Sequence, residues 1–105
     1  MPWIVLAISG CLEVVWATAL KASDGFTKPL YSVIVAVAAF VSFWLLAYAM
    51  KSLPLGTAYP VWVGIGAVGS FAVGIYAFGE AASPMRLASA ALIVIGIAGF
   101  KLAEG

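Results

Sequence analysis

The chain has no histidine, one cysteine, and only five basic and four acidic side chains in 105 residues. Each scarcity removes a class of function. Without histidine, neither a Ser/His/Asp nor a Cys/His arrangement can be assembled, so nucleophilic hydrolysis of those kinds is excluded. A single cysteine, Cys11, allows no intramolecular disulfide and no cysteine-rich metal site. It is two positions from Glu13, about 200° round a helix from it, and reads as a small packing residue. A net charge of +1 leaves no electrostatic footprint for nucleic acid. Charged residues make up 9% of the chain, against about a quarter in soluble domains. The protein lacks the material for a water-facing surface.

What is present is long apolar sequence, with 66% of residues hydrophobic. Residues 1–20 carry one charge, Glu13; residues 29–50 and 52–79 carry none. Residues 87–100 are uncharged too, and the stretch reaches spanning length once Met85 and the stems of Arg86 and Lys101 are included. A bilayer core about 30 Å thick needs roughly 20 helical residues. The sequence therefore predicts an all-α integral membrane fold, a single four-helix domain over 1–105, with helices near 2–21, 30–50, 57–78 and 85–103. The connections "KASDGFTKP", "KSLPLGT" and "GEAASP" are short and hold Gly or Pro. "ISGC" at 8–11 resembles a lipoprotein cleavage site, but no basic residue precedes it, as a signal peptide requires.

Loop charge leaves orientation undecided. With four spans, Lys51 and Lys101 fall on one side and Lys21, Lys28 and Arg86 on the other. Basic residues normally mark the cytoplasmic side. So even a division points to dual topology, which implies an antiparallel homodimer. Four short helices are also too few to enclose a polar path alone.

Glu13 lies mid-span, where a charged residue costs about 2.5–3.5 kcal/mol on insertion scales. Its helical face also carries Leu6, Ser9, Gly10, Trp16, Ala17 and Leu20. Lys21, Lys28, Lys51, Arg86 and Lys101 all sit at helix ends, so a buried ion pair is a poor account of the acid. A functional carboxylate is the better one. Desolvation favours its neutral form, so it would hold a proton and release it when a cation arrives. Facing each side of the membrane in turn, such a site gives antiport.

Other spans supply company. Ser42 is the lone hydroxyl on a face of the second span with Val35, Ala38, Ala39, Leu46 and Ala49, placed to bond the acid or to glue helices. Tyr59, Trp62, Val63, Gly66 and Ser70 share a face of the third span, and aromatic faces attract organic cations. A planar guanidinium, with its fork of donors, suits a carboxylate. "GIGAVG" at 64–69 is formally GxGxxG, but it sits in an uncharged span without the acidic residue about 20 positions on that a dinucleotide site uses. Flexing or close packing explains it better. Ser89, Leu92, Ile93 and Gly96 form a stripe suited to tight helix–helix contact, and hence to dimerisation.

Taken together, "GCLEVVWATALK", "GFTKPLYSV", "KSLPLGTAY", "GIGAVG" and "GEAASPMRLASAALIVIGIAGFK" resemble the small multidrug resistance transporters, in the guanidinium-exporting subtype, over essentially the whole chain. Trp16 selects the subtype, since multidrug members typically have a small residue there. The resemblance implies an antiparallel dual-topology homodimer of four-helix subunits in the bacterial inner membrane, with proton-coupled antiport by alternating access and no cofactor. It further implies that Glu13 binds substrate and proton, that Trp16, Ser42, Tyr59 and Trp62 line or support the site, and that Gly10 gives close access to it. Gly64 and Gly66 would let the third helix bend, and the stripe from Ser89 to Gly96 would join subunits. Two residues depart from the family pattern. Pro60 replaces the usual Ala, and is harmless if Thr57 caps the helix. Val63 replaces a hydroxyl residue, which favours a greasier cation. The alternatives are a broader exporter of hydrophobic or quaternary ammonium cations, a small dual-topology ion channel, and a non-transporting half of a heterodimer.

Overall fold

The computed structural model describes residues 2–104, of Glu104 the backbone only. It contains four helices: α1 Pro2–Ala22, α2 Pro29–Ala49, α3 Leu55–Phe78 and α4 Pro84–Glu104. At 1.5 Å per residue they run about 32 to 36 Å, enough to cross the hydrocarbon core. All four are long and apolar enough to span a membrane. Three begin at proline, whose missing N–H has no partner to lose in a first turn.

α3 begins two residues before the expected Thr57 cap. Pro54 is extended, with φ −63° and ψ 152°. Its carbonyl accepts from both Thr57 N at 3.1 Å and Ala58 N at 2.9 Å, so the chain is already helical when Thr57 arrives. Pro60 consequently lies inside the helix. It removes the bond that the Gly56 carbonyl would otherwise accept.

The turns have local causes. After α1, Asp24, Gly25 and Phe26 all adopt positive φ, at 51°, 72° and 66°. The fully buried Ser23 holds this reversal: its hydroxyl donates to Leu20 O at 2.7 Å and accepts from Phe26 N at 3.0 Å. α3 ends at Gly79, whose φ of 66° is left-handed, a conformation glycine adopts without a Cβ penalty.

α1 is the centre of the packing. It lies against α2 and α3; α4 lies mainly against α3. The core gathers Leu6, Leu46, Ala49, Ala58, Val61 and Trp62. Among the described residues of α4 none is buried. Large apolar side chains such as Phe40, Trp44, Val94 and Ile95 face outward, the surface expected of a protein solvated by lipid.

Two kinds of seam hold the helices. Between α1 and α2, Ser9 and Ser42 are wholly buried and bond reciprocally: Ser9 Oγ donates to Ser42 O at 2.6 Å, and Ser42 Oγ donates to Ser9 O at 2.8 Å. Such inter-helix bonds contribute about 0.6 kcal/mol each. Between α1 and α3, glycines admit larger neighbours. A Cβ at Gly10 would lie 2.6 Å from Ile65 Cγ2, and one at Gly69 would strike Val14 Cγ2. Where lipid is as apolar as the side chains, this close fit supplies the dispersion energy that the hydrophobic effect does not.

Candidate functional site

The α1–α3 seam carries Glu13 at its middle. The carboxylate lies directly against Gly66: a Cβ there would strike Glu13 Oε1, Cδ and Cγ. Gly66 is therefore a seat for the acid, whatever bending it also permits. Among the described residues, Glu13 Oε1 is buried with no hydrogen-bond partner. No cation neutralises it. Arg86 pairs with Glu80 at 3.3 Å, while Lys51 and Lys101 sit over the rings of Tyr48 and Trp3 at 5.5 and 5.0 Å.

Trp16 follows Glu13 by three positions, and its indole Nε1 is likewise buried and unpartnered among the described residues. That N–H can satisfy only an acceptor, so it is the ring face, rather than the N–H, that suits a cation. The ring opens an aromatic row across three helices. Trp16 and Phe43 lie 6.2 Å apart, Phe43 and Trp62 5.5 Å, and Trp62 and Tyr59 5.8 Å, all tilted. These spacings fall in the range of about 4.5–7 Å where aromatic pairs attract. Trp62 is 4% exposed and Tyr59 51%, so the row runs from the core to an open side.

Of the two roles its face suggests, Ser42 takes that of joining helices. Its hydroxyl proton goes to Ser9 O, and its lone pair accepts from Trp62 Nε1 at 3.2 Å. It makes no bond to Glu13. The physical reason is that Ser9, one turn before the acid, offers a carbonyl at the helix crossing, and Ser42 reaches that first. Ser42 thus fixes the Trp62 ring and the α1–α2 register while leaving the carboxylate without a donor.

Gly10 faces Ile65 of α3, so the space beside it is filled by protein. Gly64 faces α4: a Cβ there would lie 3.0 Å from Ile97 Cδ1 and 3.3 Å from Ile93 Cγ2. Ile93 consequently divides its contacts between α3 and the outside. Ser89, Leu92 and Gly96 stay on the exposed face of α4, with Ser89 Oγ bonded back to Met85 O at 2.8 Å. Val63 is also exposed.

Ser9 shares the Glu13 face of α1, and the structure makes it the partner of Ser42. A buried hydroxyl in a span needs a bond, and that was the available signal. Gly69 as the seat for Val14 had no signal beyond its spacing from Gly66.

Comparison with known proteins adds the ancestry. Residues 1–93 match the family described as Small Multidrug Resistance protein. The "Guanidinium exporter" of Escherichia coli K12 is 62% identical over 102 residues, covering 97% of each chain. The proteins of that same name in Yersinia pseudotuberculosis and Proteus vulgaris are 57% and 54% identical over 104 residues, 99% of this chain and 100% of theirs. With its four apolar spans and a match of this extent, the chain belongs to the small multidrug resistance protein family.

Proposed function

We propose that this multi-pass membrane protein is a proton-coupled antiporter that exports guanidinium or small substituted guanidinium cations across the bacterial inner membrane. The observation that carries the reading is the Glu13 carboxylate: half-buried at mid-span with Oε1 enclosed, seated on Gly66, and with no hydrogen-bond partner for Oε1 and no ionic partner among the described residues. Relatives more than half identical over nearly the full chain bear the name guanidinium exporter, which supports the substrate class.

The chemistry follows from the acid's surroundings. An ionised carboxylate in an apolar seam is costly, so it is neutralised either by a proton or by a cation, one at a time. A guanidinium brings parallel N–H donors that match the two carboxylate oxygens, and the ring faces of Trp16 and its neighbours suit its flat π surface. Binding the cation expels the proton, and reprotonation expels the cation. Alternating exposure of the site to the two sides turns that competition into exchange, with inward protons driving outward cations.

An antiparallel homodimer would bring two Glu13 side chains to one site. The even division of loop charge and the uncovered stripe at Ser89, Leu92 and Gly96 support that assembly, and α3 would bend at Gly64 and Gly66 as the site changes sides. Val63 supports a second reading within the same family, export of hydrophobic or quaternary ammonium cations.

The test is the current evoked by guanidinium in proteoliposomes, beside tetramethylammonium and a Glu13→Gln variant. A guanidinium current abolished in Glu13→Gln is expected. Competition by one proton should also raise the apparent KM for guanidinium as pH falls, by up to about tenfold per pH unit. A response to tetramethylammonium alone would move the substrate to the second reading. Currents surviving Glu13→Gln would remove the carboxylate from the mechanism.

A further inference from the structure

We propose that Glu80 is an outer binding station for the exported cation, held in reserve by the protein's own Arg86. The proposal rests on the guanidinium reading of Glu13 and extends it to the mouth of the path.

Between the C-terminal halves of α1 and α3 lies a groove of about 330 Å³, walled by Ala17, Lys21, Ser70, Phe71, Gly74 and Glu80 among others. Its inner end abuts the candidate site. Ala17 is one turn beyond Glu13 on the same face, and Ala67, also in the wall, follows Gly66. Its outer end carries Glu80. From Glu13 to Lys21 at the mouth, the path along α1 is about 12 Å at 1.5 Å per residue.

Glu80 is folded back into this mouth by its surroundings. Its backbone N–H donates to Gly74 O at 3.0 Å, and its carboxylate packs where a Cβ on Gly74 would be. Arg86 Nη2 then meets Glu80 Oε1 at 3.3 Å, while the same guanidinium lies 5.2 Å from the centroid of the Phe71 ring. A carboxylate and an aromatic face thus hold a guanidinium at the groove mouth. That pairing is the chemistry inferred for the inner site, with a tethered alkylguanidinium in place of a free one. The ion pair is solvent-accessible, with side chains 40% and 42% exposed, so an incoming guanidinium can exchange with Arg86. Lys21, across the groove, is a second cation that makes no ion pair among the described residues. In an antiparallel dimer, one such mouth would open on each side of the membrane.

This assignment separates from a purely structural ion pair by the sign of two substitutions. If Arg86 only ties α4 to the end of α3, Glu80→Gln and Arg86→Gln break the same bond and act alike. If Arg86 competes with substrate for Glu80, they act oppositely. In proteoliposome transport, Glu80→Gln should raise the KM for guanidinium about two- to fivefold, the range open to an exposed ion pair. Arg86→Gln should lower it by a similar factor, and Lys21→Gln should act in the same direction as Arg86→Gln. Arg86→Lys, which keeps charge but loses the fork, should fall between wild type and Arg86→Gln. A lowered KM cannot come from misfolding, so the Arg86→Gln arm guards against a damaged protein. Guanidinium binding to a Glu13→Gln background, read by NMR, should leave a weak residual site that disappears on adding Glu80→Gln. Wild-type transport of guanidinium with both KM values moving together, or not at all, overturns the station and leaves the Glu13 reading intact. No wild-type transport of guanidinium overturns both.

Discussion

Replacing Ser42 with Ala removes two hydrogen bonds at once, and their costs differ in kind. The bond to Ser9 O is worth about 0.6 kcal/mol, the average for polar contacts between membrane helices, and the Ser9 carbonyl keeps its place in the α1 ladder. The bond from Trp62 Nε1 at 3.2 Å is the larger loss. Trp62 is 4% exposed, so its N–H is left buried without an acceptor, at about 1–3 kcal/mol. Ser42→Ala should therefore destabilise the protein by about 1.5–3.5 kcal/mol. Ser9→Ala strands no donor and should cost about 0.6 kcal/mol. The decisive variant is the double substitution with Trp62→Phe, which deletes the N–H that Ser42→Ala would orphan. Its cost should fall short of the sum of the single costs by about 1 kcal/mol or more. Far-UV circular dichroism during unfolding in mixed micelles of sodium dodecyl sulfate measures all four proteins. Additivity within about 0.5 kcal/mol would refute the bond between Trp62 and Ser42 as an energetic link.

Two further substitutions test the α1–α3 seam. Gly66→Ala puts a methyl where the Glu13 carboxylate rests; transport should fall at least tenfold even though Ala raises helix propensity by about 1 kcal/mol, and unchanged transport would mean the acid sits elsewhere. Pro60→Ala restores an N–H facing the Gly56 carbonyl, so the melting temperature in detergent should rise, by a stabilisation of up to about 3 kcal/mol; a fall would show that the proline is relied upon.

Four spans were legible because a chain with so few charges has only one solvent in which its apolar runs make sense. Glu13 stood out for the converse reason, as an acid in the middle of such a run. The start of α3 was open between Thr57, which has the better capping side chain, and Pro54, which acts through its backbone carbonyl alone. Ser42 was on the expected face, but a helical wheel ranks directions, not distances, and cannot say that a carbonyl of α1 would meet the hydroxyl before the acid did. Gly66 as the seat of Glu13 needs the relative height of α1 and α3, which no local pattern encodes. The charges in "GEAASPMR" looked only like markers of orientation; their coupling through Gly74 and Phe71 depends on how the turn after α3 folds back.

The peripheral place of α4 bears on the order of assembly. Synthesis delivers the chain through α3 before α4, and that stretch contains the described buried core residues and both interlocking seams. α4 follows these three helices in the chain, and none of its described residues is buried. A nascent subunit can thus be internally complete while the face that meets lipid or a neighbour is still being made. Whatever this chain associates with in the membrane through α4, it can do so only once α4 has been made, so products truncated before Pro84 should fold yet fail to compete for partners.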